Sequence, residues 1–362
     1  MRDRERLLIL NMVEGVGSIR TQALLRDLGS LEKVFRAKEN ELARVREIGP
    51  RLAPTVAQSI REIDIEKELR LIEAYGVKII GFLDKDYPES LKNIYAPPVV
   101  LYVKGTILPQ DDIAIAIVGS RLASFYGLQQ AERLGFELAS RGITIVSGLA
   151  RGIDSASHRG ALKAKGRTIA ILGSGLAHIY PEEHKALAEE ISRNGAVISE
   201  FPMRTIPDKG NFPKRNRIIS GLSLGVVVVE AAERSGALIT SDIALEEGRE
   251  VFAVPGKVDS ITSKGTNRLI KQGAKLAETV DDILEELDLK IGGCLNEGKE
   301  LIAPILDKSE SLVYNLLSSQ PRHIDDLAEA VNIGIGEISR VLFYLEIKRL
   351  ARQLPGKNFV KA

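Results

Sequence analysis

The stretch IAIAIVGSR, residues 113–121, is an uninterrupted apolar run that ends in a turn of small residues. Similar short apolar runs follow it, separated by stretches long enough for helices, at residues 143–146, 168–172, 196–198, 225–229 and 251–254. Apolar strands that alternate with helices are typical of βαβ units, in which helices cover both faces of a parallel sheet. The sequence therefore predicts a doubly wound α/β core that extends to about residue 285.

The region before this core predicts helices instead of strands. Two Gly-containing turns, at residues 14–18 and 47–51, each lie between amphipathic stretches. This pattern is typical of a helix-hairpin-helix, whose glycines let backbone amides approach a phosphate. Ordinary corners between two helices give the same pattern, so both interpretations stay open.

The C-terminal region predicts a small module of three helices, near residues 311–317, 324–331 and 336–349, and a strand-like tail that turns at Pro355-Gly356. Three helices and a hairpin make a winged helix. The third helix mixes acidic and basic residues, so a protein contact or a structural role is at least as well supported as DNA reading. We expect a helical domain at 1–75, the α/β core at 76–290, an acidic linker at 291–308 and the winged helix at 309–362.

Composition excludes several classes of site. The single Cys294 excludes a disulfide framework and any multi-cysteine metal site, and the four histidines show no paired metal-ligand spacing. We expect no bound metal and no membrane span, because no run approaches the roughly 18 apolar residues of a spanning helix. The N-terminus lacks the pattern of a signal peptide, so we expect a cytoplasmic protein.

The charged residues are distributed unevenly along the chain. The totals, 50 Lys plus Arg against 49 Asp plus Glu, leave a net charge of +1. Residues 276–310 carry a net of −7, whereas residues 141–167 carry +5 and residues 204–217 carry +4. Ligands of open parallel sheets bind beyond the carboxyl ends of the strands, where we expect both basic stretches to lie. The sequence therefore predicts a localised site for an anion.

Three turns of small residues follow strands of the predicted sheet, at residues 118–121, 146–155 and 172–178. Such turns let backbone amides approach an anion. A dinucleotide site would need GxGxxG, but Gly173-Ser174-Gly175 is followed by His178 at the third glycine position. No P-loop sequence is present either, so a nicotinamide or ATP-dependent enzyme is disfavoured.

The run NFPKRNRIISG, residues 211–221, is the most informative segment. Arginine offers a planar fork to phosphates, and Phe212 can stack on a base. The alternative is a solvated loop with incidental basic residues.

Candidate catalytic groups are few. Glu230 and Glu233 could form an acid pair, but no histidine lies near them in sequence. Asp154 and His158 share a helical face, for which a capping carboxylate and a packed histidine are the favoured interpretation. The pairs Ser235-Gly236 and Thr240-Ser241 suit either a phosphate or a helix cap.

Seven runs between residues 113 and 275 resemble the DNA-processing protein A family, also called Smf. They are AIVGSRLASFYG, VSGLARGIDSASHRGAL, TIAILGSGLAHIYP, GAVISEFP, NFPKRNRIISGLS, VVVVEAAERSGALITSDIALEEGREVFAVPG and GTNRLIKQGA. Their order and spacing make the resemblance specific. The helical N-terminal region and the winged-helix module fit the family's three-part form less specifically.

The resemblance implies an extended Rossmann-like core, flanked by a helix-hairpin-helix or SAM-like domain and a winged helix. It implies a protein that binds and protects single-stranded DNA and loads a RecA-type recombinase during natural transformation or homologous recombination. On this basis we expect no enzymatic activity, no cofactor and a homodimer. The implied DNA-binding residues are Ser120, Arg121, Ser147, Gly148, Gly173, Phe212, Lys214, Arg215, Asn216 and Arg217.

The main alternative is a Rossmann-like nucleotide-binding enzyme of the phosphoribohydrolase type. That group uses a Pro-Gly-Gly-x-Gly-Thr-x-x-Glu loop and a catalytic acid. The nearest analogue, residues 230–236, lacks the double glycine, which disfavours hydrolysis. A nucleotide-sensing or protein-bridging module is a third possibility.

Overall fold

The computed structural model describes residues 2–291, 308–318, 322–331, 333–347, 350–354 and 356–361. The chain divides into two units, Met1–Lys290 and Ile291–Ala362. The expected acidic linker lies, apart from its two end residues, outside the described residues, and so does Cys294.

The first unit begins with helices, as the sequence predicts. They are α1 (Asp3–Met12), α2 (Ser18–Leu28), α3 (Leu31–Arg36), α4 (Glu39–Leu42), α5 (Gly49–Glu62) and α6 (Ile65–Ala74). Gly15 and Gly49 adopt φ of +77° and +63°, a conformation that glycine takes without steric cost. The helices pack around buried side chains such as Leu24, Leu42 and Val56.

A nine-stranded sheet follows within the described residues, in the order β1-β2-β6-β5-β4-β3-β7-β8-β9. Its strands are β1 (Lys78–Gly81), β2 (Val100–Gly105), β3 (Ala114–Val118), β4 (Thr144–Ser147), β5 (Thr168–Ile171), β6 (Ala196–Ser199), β7 (Gly225–Val228), β8 (Glu250–Ala253) and β9 (Lys275–Leu276). The accompanying helices are α7 (Glu89–Lys92), α8 (Phe125–Ser140), α9 (Ile153–Lys163), α10 (Lys185–Asn194), α11 (Asn211–Gly221), α12 (Gly236–Glu246), α13 (Lys264–Lys271) and α14 (Val280–Ile291).

Strands β3 to β9 pair in parallel, which confirms the doubly wound α/β core. Every residue of β3 is buried, as its uninterrupted apolar run predicts. Strands β1 and β2 were not predicted from the sequence, and they extend the sheet beyond β6 through antiparallel pairing. Strand β2 is buried even though it is antiparallel, so it lacks the alternating polar residues that mark a half-exposed strand.

The order of the strands places a topological switch point between β3 and β7. From β3 the chain adds β4, β5 and β6 on one side and then returns to add β7 and β8 on the other. In open α/β sheets, ligands bind in the crevice that this reversal opens at the carboxyl ends of the strands. For this chain that position lies after Val118 and Val228.

The second unit is a winged helix. It comprises α15 (Lys308–Leu316), β10 (Arg322–His323), α16 (Ile324–Val331), α17 (Ile335–Ile347), β11 (Ala351–Leu354) and β12 (Asn358–Lys361). The strands form an antiparallel sheet in the order β10-β12-β11. Val313, Leu327, Leu342 and Phe359 belong to its separate core. None of the helices described in either unit is long and apolar enough to cross a membrane.

Candidate nucleic-acid interface

A cleft of about 560 Å³ opens at the switch point between β3 and β7. We call it the first cleft. Its walls come from the turn after β3, the beginning of α11 and the segment that leads into α12. Among the residues that line it are Ser120, Arg121, Lys209, Phe212, Arg215, Asn216, Arg234 and Ser235.

The Arg121 side chain lies over the aromatic ring of Phe212 at this cleft. The guanidinium carbon is 4.9 Å from the ring centroid, the geometry of a cation–π contact. Arg121 is exposed, and Phe212 is half-buried. Gly173 leaves space for the ring, because a Cβ at that position would lie 2.7 Å from Phe212 Cδ1. The cleft therefore presents a planar cation and a supported aromatic ring side by side.

Arg215 has a different environment from the other basic residues of the 211–217 run. Its side chain is buried, and Nη1 donates hydrogen bonds to the carbonyl oxygens of Gly148, at 2.7 Å, and Ile171. The buried Asp154 carboxylate accepts hydrogen bonds from the amides of Gly148, at 3.1 Å, and Ala150, at 3.3 Å. Arg215 thus joins the ends of β4 and β5 beneath the first cleft.

Burial shifts the pKa values of both charged groups beneath the cleft. Desolvation raises the pKa of Asp154, while the positive charge of Arg215 acts in the opposite direction. Desolvation also lowers the pKa of Arg215 to about 10, so this guanidinium stays protonated at neutral pH. A buried, charged arginine that bonds backbone carbonyls is suited to positioning the surrounding turns.

Three further predicted residues lie beneath the first cleft and are buried. The Ser147 hydroxyl donates to the carbonyl of Ile117 at 2.6 Å. A Cβ on Gly148 would lie within 2.5 Å of the Arg215 guanidinium nitrogens, so glycine makes room for this arginine. Gly173 supports Phe212 as described above. The structure therefore gives Ser147, Gly148 and Gly173 buried packing environments, and their contact with a DNA strand stays a prediction.

Helix α11 separates the first cleft from another of about 690 Å³, which we call the second cleft. Lys214 and Arg217 line the second cleft, whereas Phe212 and Asn216 line the first. Arg217 forms an ion pair with Glu200. Burial raises the pKa of Glu200, and the charges of Arg217 and Lys214 oppose that shift. The ten predicted DNA-binding residues are thus divided among the first cleft, the second cleft and buried positions beneath the first cleft.

Two basic residues of the first cleft were not among the site residues predicted from the sequence. Arg234 lies in its wall, immediately before the N-cap residue of α12, and Lys209 precedes α11. Both are exposed. Ser235 caps α12 by accepting a hydrogen bond from the Ala237 amide at 3.3 Å, which is one of the two roles that the sequence allowed. A basic residue directly before a serine N-cap was the signal available for Arg234.

Glu230 is engaged in hydrogen bonds that hold two loops together. Its carboxylate accepts bonds from the Ser124 amide at 2.8 Å, the Ser124 hydroxyl at 2.6 Å and the Thr262 hydroxyl at 3.2 Å. The side chain is buried, whereas Glu233 is exposed. The two acids do not share one environment, which weighs against the acid pair that hydrolysis would need.

His158 is a packed core histidine. It is fully buried, and its Nδ1 lies 2.6 Å from the Thr168 hydroxyl oxygen. Burial lowers the pKa of His158 to about 3, so the ring is neutral at physiological pH. The structure agrees with the packed histidine of the favoured interpretation but not with the capping carboxylate. The N-cap residue of α9 is Gly152, without a side-chain cap, and Asp154 accepts its hydrogen bonds from amides of the preceding turn.

Comparisons with known proteins identify the family. The family model for DNA recombination-mediator protein A matches residues 78–288, more than half of the chain. The chain belongs to this family. The model for the DprA winged helix domain also matches, at residues 298–357. These matches confirm the resemblance seen in the sequence.

Two relatives in this family are similar in sequence to more than half of this chain. The chain is 48% identical to DNA processing protein DprA of Bacillus subtilis (strain 168) over 222 residues, 60% of this chain and 75% of the relative. It is 46% identical to Protein Smf of Escherichia coli (strain K12) over 297 residues, 81% of this chain and 79% of the relative.

Two solved structures of the same family are similar. DprA from Streptococcus pneumoniae superposes with a TM-score of 0.69 at 35% identity, over 78% of this chain and 97% of that one. DNA processing protein A from Helicobacter pylori, solved for its single-stranded DNA binding mode, gives a TM-score of 0.53 at 30% identity, over 60% of this chain and 97% of that one.

Proposed function

We propose that this chain binds single-stranded DNA through the first cleft and loads a RecA-type recombinase onto that strand. The observation that carries the proposal is the pairing of exposed Arg121 with the Phe212 ring at the switch point of the sheet. The guanidinium can pair with a phosphate while the aromatic ring stacks on a base. The single-stranded DNA binding reported for the Helicobacter pylori relative supports the choice of ligand.

The composition of the cleft favours a single strand over a duplex. The ring beside Arg121 can stack only on an unpaired base, since the faces of paired bases are covered by the base pairs stacked above and below them. Arg234 and Lys209 add positive charge without offering a pattern that distinguishes base edges. We therefore infer binding with little sequence preference, in which phosphate contacts supply most of the affinity.

We also propose that the protein acts as a carrier of the strand and not as an enzyme. The carboxylates of Glu230 and Asp154 are engaged in buried hydrogen bonds, and His158 is neutral in the core. Delivery of incoming DNA during natural transformation or homologous recombination fits the family to which the chain belongs. A homodimer would place two first clefts on one strand and increase its avidity.

A binding titration with oligothymidylate and with duplex DNA tests the first step. We expect preference for the single strand and a log–log salt slope of about −0.7 per phosphate contacted. Arg121→Ala is expected to weaken binding and to flatten the slope by about one contact. Equal affinity for duplex, or wild-type binding by both Arg121→Ala and Phe212→Ala, contradicts the assignment. Release of free base from a nucleoside monophosphate would instead support the phosphoribohydrolase alternative.

The loading step needs a separate assay. A RecA-type recombinase is mixed with single-stranded DNA that a single-strand-binding protein already covers. We expect this chain to accelerate filament assembly and Arg121→Ala to remove that acceleration. Strand binding without any acceleration would refute the loading role while leaving the DNA-binding role intact.

A further inference from the structure

We propose that the second cleft is a further subsite for the same DNA strand and that the N-terminal helices supply part of it. The inference rests on the proposed function, which places the strand in the first cleft. It adds a role for the turn between α1 and α2, which the family model, beginning at residue 78, does not include.

The second cleft lies between the helical region and the sheet domain, within the first unit. Residues 15–20 form one wall, Glu200 to Pro202 form another, and Lys214 and Arg217 come from α11. Its volume of about 690 Å³ exceeds the 560 Å³ of the first cleft. Both volumes fall within the range of about 300–1,000 Å³ that holds small organic ligands, so a nucleotide fits in either.

The charges that face the second cleft leave a positive excess. Three cations line it (Arg20, Lys214 and Arg217), and the two carboxylates that line it are Glu47 and Glu200. Glu200 is paired with Arg217, and Glu47 lies 3.5 Å from the guanidinium of Arg26, which is outside the cleft. Arg26 also pairs with Asp27, at 2.8 Å, so it compensates Glu47 only in part, and the groups that line the cleft carry one excess positive charge.

The remaining two cations form no salt bridge within the described part of the chain. The Arg20 guanidinium donates to the carbonyl oxygens of Gly15 and, at 2.9 Å, of Glu47, which are neutral acceptors. Arg20 and Lys214 are both exposed. Two solvent-accessible positive charges from different walls of one cleft, α2 and α11, are suited to phosphates of a strand.

Helix α11 makes the two clefts neighbours. Phe212 and Asn216 face the first cleft, and Lys214 and Arg217 face the second. A helix with its side chains is about 10–12 Å across, so a strand that leaves the first cleft crosses only this distance to reach Lys214. A strand of several nucleotides would occupy both clefts, whereas a very short one would occupy only the first.

Gly17 allows a test that leaves the fold intact. It lines the second cleft at the N-cap position of α2, with φ of −103°, and no atom lies within 4 Å of where its Cβ would be. Asp and Asn both favour N-cap positions to a similar degree. Gly17→Asp therefore places a negative charge in the cleft, and Gly17→Asn is its neutral control of matched size.

The experiment measures binding of oligothymidylates of about four and about sixteen nucleotides by the full chain. For the longer strand we expect Gly17→Asp to bind at least about threefold more weakly than Gly17→Asn, the effect of roughly one phosphate contact. For the shorter strand the two variants should bind equally. Their thermal unfolding midpoints should also be equal, which shows that the difference does not arise from folding.

Lys214→Ala provides an independent arm with Lys271→Ala as its control. Lys271 is an exposed lysine of α13 that lines neither cleft. We expect Lys214→Ala to flatten the salt slope by about 0.7 for the longer strand alone, and Lys271→Ala to leave it unchanged.

Equal binding of the longer strand by Gly17→Asp and Gly17→Asn overturns the inference, as does a loss that is the same for both strand lengths. If Gly17→Asp retains DNA binding but fails to accelerate recombinase assembly, the cleft takes a protein segment and the inference is also wrong. Failure of the wild-type chain to bind any single strand would instead refute the proposed function.

Discussion

Replacement of Arg215 is expected to destabilise the fold, whereas replacement of its neighbour Arg121 is expected to weaken DNA binding. In Arg215→Gln the shorter side chain cannot reach the carbonyl oxygens of Gly148 and Ile171, and both are buried. The nearby Asp154 carboxylate also loses the positive charge that opposes its desolvation. This one substitution therefore leaves three buried polar groups without the arginine, namely the two carbonyl oxygens and the Asp154 carboxylate.

The size of this effect follows from the burial of these groups. A hydrogen bond to a charged group contributes about 1.5–3 kcal/mol, and removal of one partner from a buried charged arrangement costs about 3–5 kcal/mol. We expect the free energy of unfolding to fall by about 3–5 kcal/mol in Arg215→Gln. Arg121→Gln removes only an exposed cation–π contact, worth about 0.5–1 kcal/mol.

The assay pairs urea unfolding, followed by circular dichroism, with oligothymidylate binding under conditions where both variants are folded. Arg215→Gln should show a clearly lower urea midpoint. Arg121→Gln should lower the midpoint much less than Arg215→Gln and bind the strand more weakly, with a flatter salt slope. If Arg215→Gln kept wild-type stability but lost strand binding, Arg215 would be a direct DNA contact and this prediction would be wrong.

Three further predictions concern groups around the first cleft. Gly173→Ala should displace the Phe212 ring and weaken oligothymidylate binding by roughly tenfold without changing the salt slope, since stacking and not phosphate contact is lost. Glu230→Ala should lower the urea midpoint, because the loops at Ser124 and Thr262 lose their shared acceptor; an unchanged midpoint would contradict this. Between about pH 6.5 and pH 5 the free energy of unfolding of the wild type should fall by about 2 kcal/mol more than that of His158→Gln; identical pH profiles would contradict this.

The sign of the His158 effect follows from its lowered pKa. The folded-state pKa is about 3, below the value of 6.5 for an unperturbed histidine. Below pH 6.5 the unfolded chain therefore binds a proton that the folded chain does not. The stability that the neutral, buried His158 contributes is therefore present above pH 6.5 and is lost as the pH falls toward about 3.

The core of the fold could be predicted because its strands are marked locally. The run at 114–118 is apolar throughout, and the helix that follows it begins at a Ser N-cap. Strand β2 was missed because it joins the sheet by pairing with β6, about 95 residues further along the chain, and β1 was missed because it joins the sheet only through β2. The sequence around 78–105 contains no helix between strands of the kind that marks a βαβ unit.

The candidate site was predicted as one cluster, but the structure divides it. Successive residues on a helix are separated by about 100°, so Phe212 and Asn216 share one side of α11 and Lys214 and Arg217 share another. This division is contained in the sequence once the run is placed on a helix. The burial of Arg215 could not be predicted in this way, because it depends on carbonyl groups that lie 44 and 67 residues away along the chain.

Photo-crosslinking of a bound strand tests the central claim most directly. An oligothymidylate that carries iodouracil is bound to the full chain and irradiated, and the crosslinked peptide is identified by mass spectrometry. We expect crosslinks to Phe212. Phe212→Leu should abolish them while the variant still binds the strand. Crosslinks confined to residues outside both clefts, with the peptide that contains Phe212 unmodified, would contradict the claim.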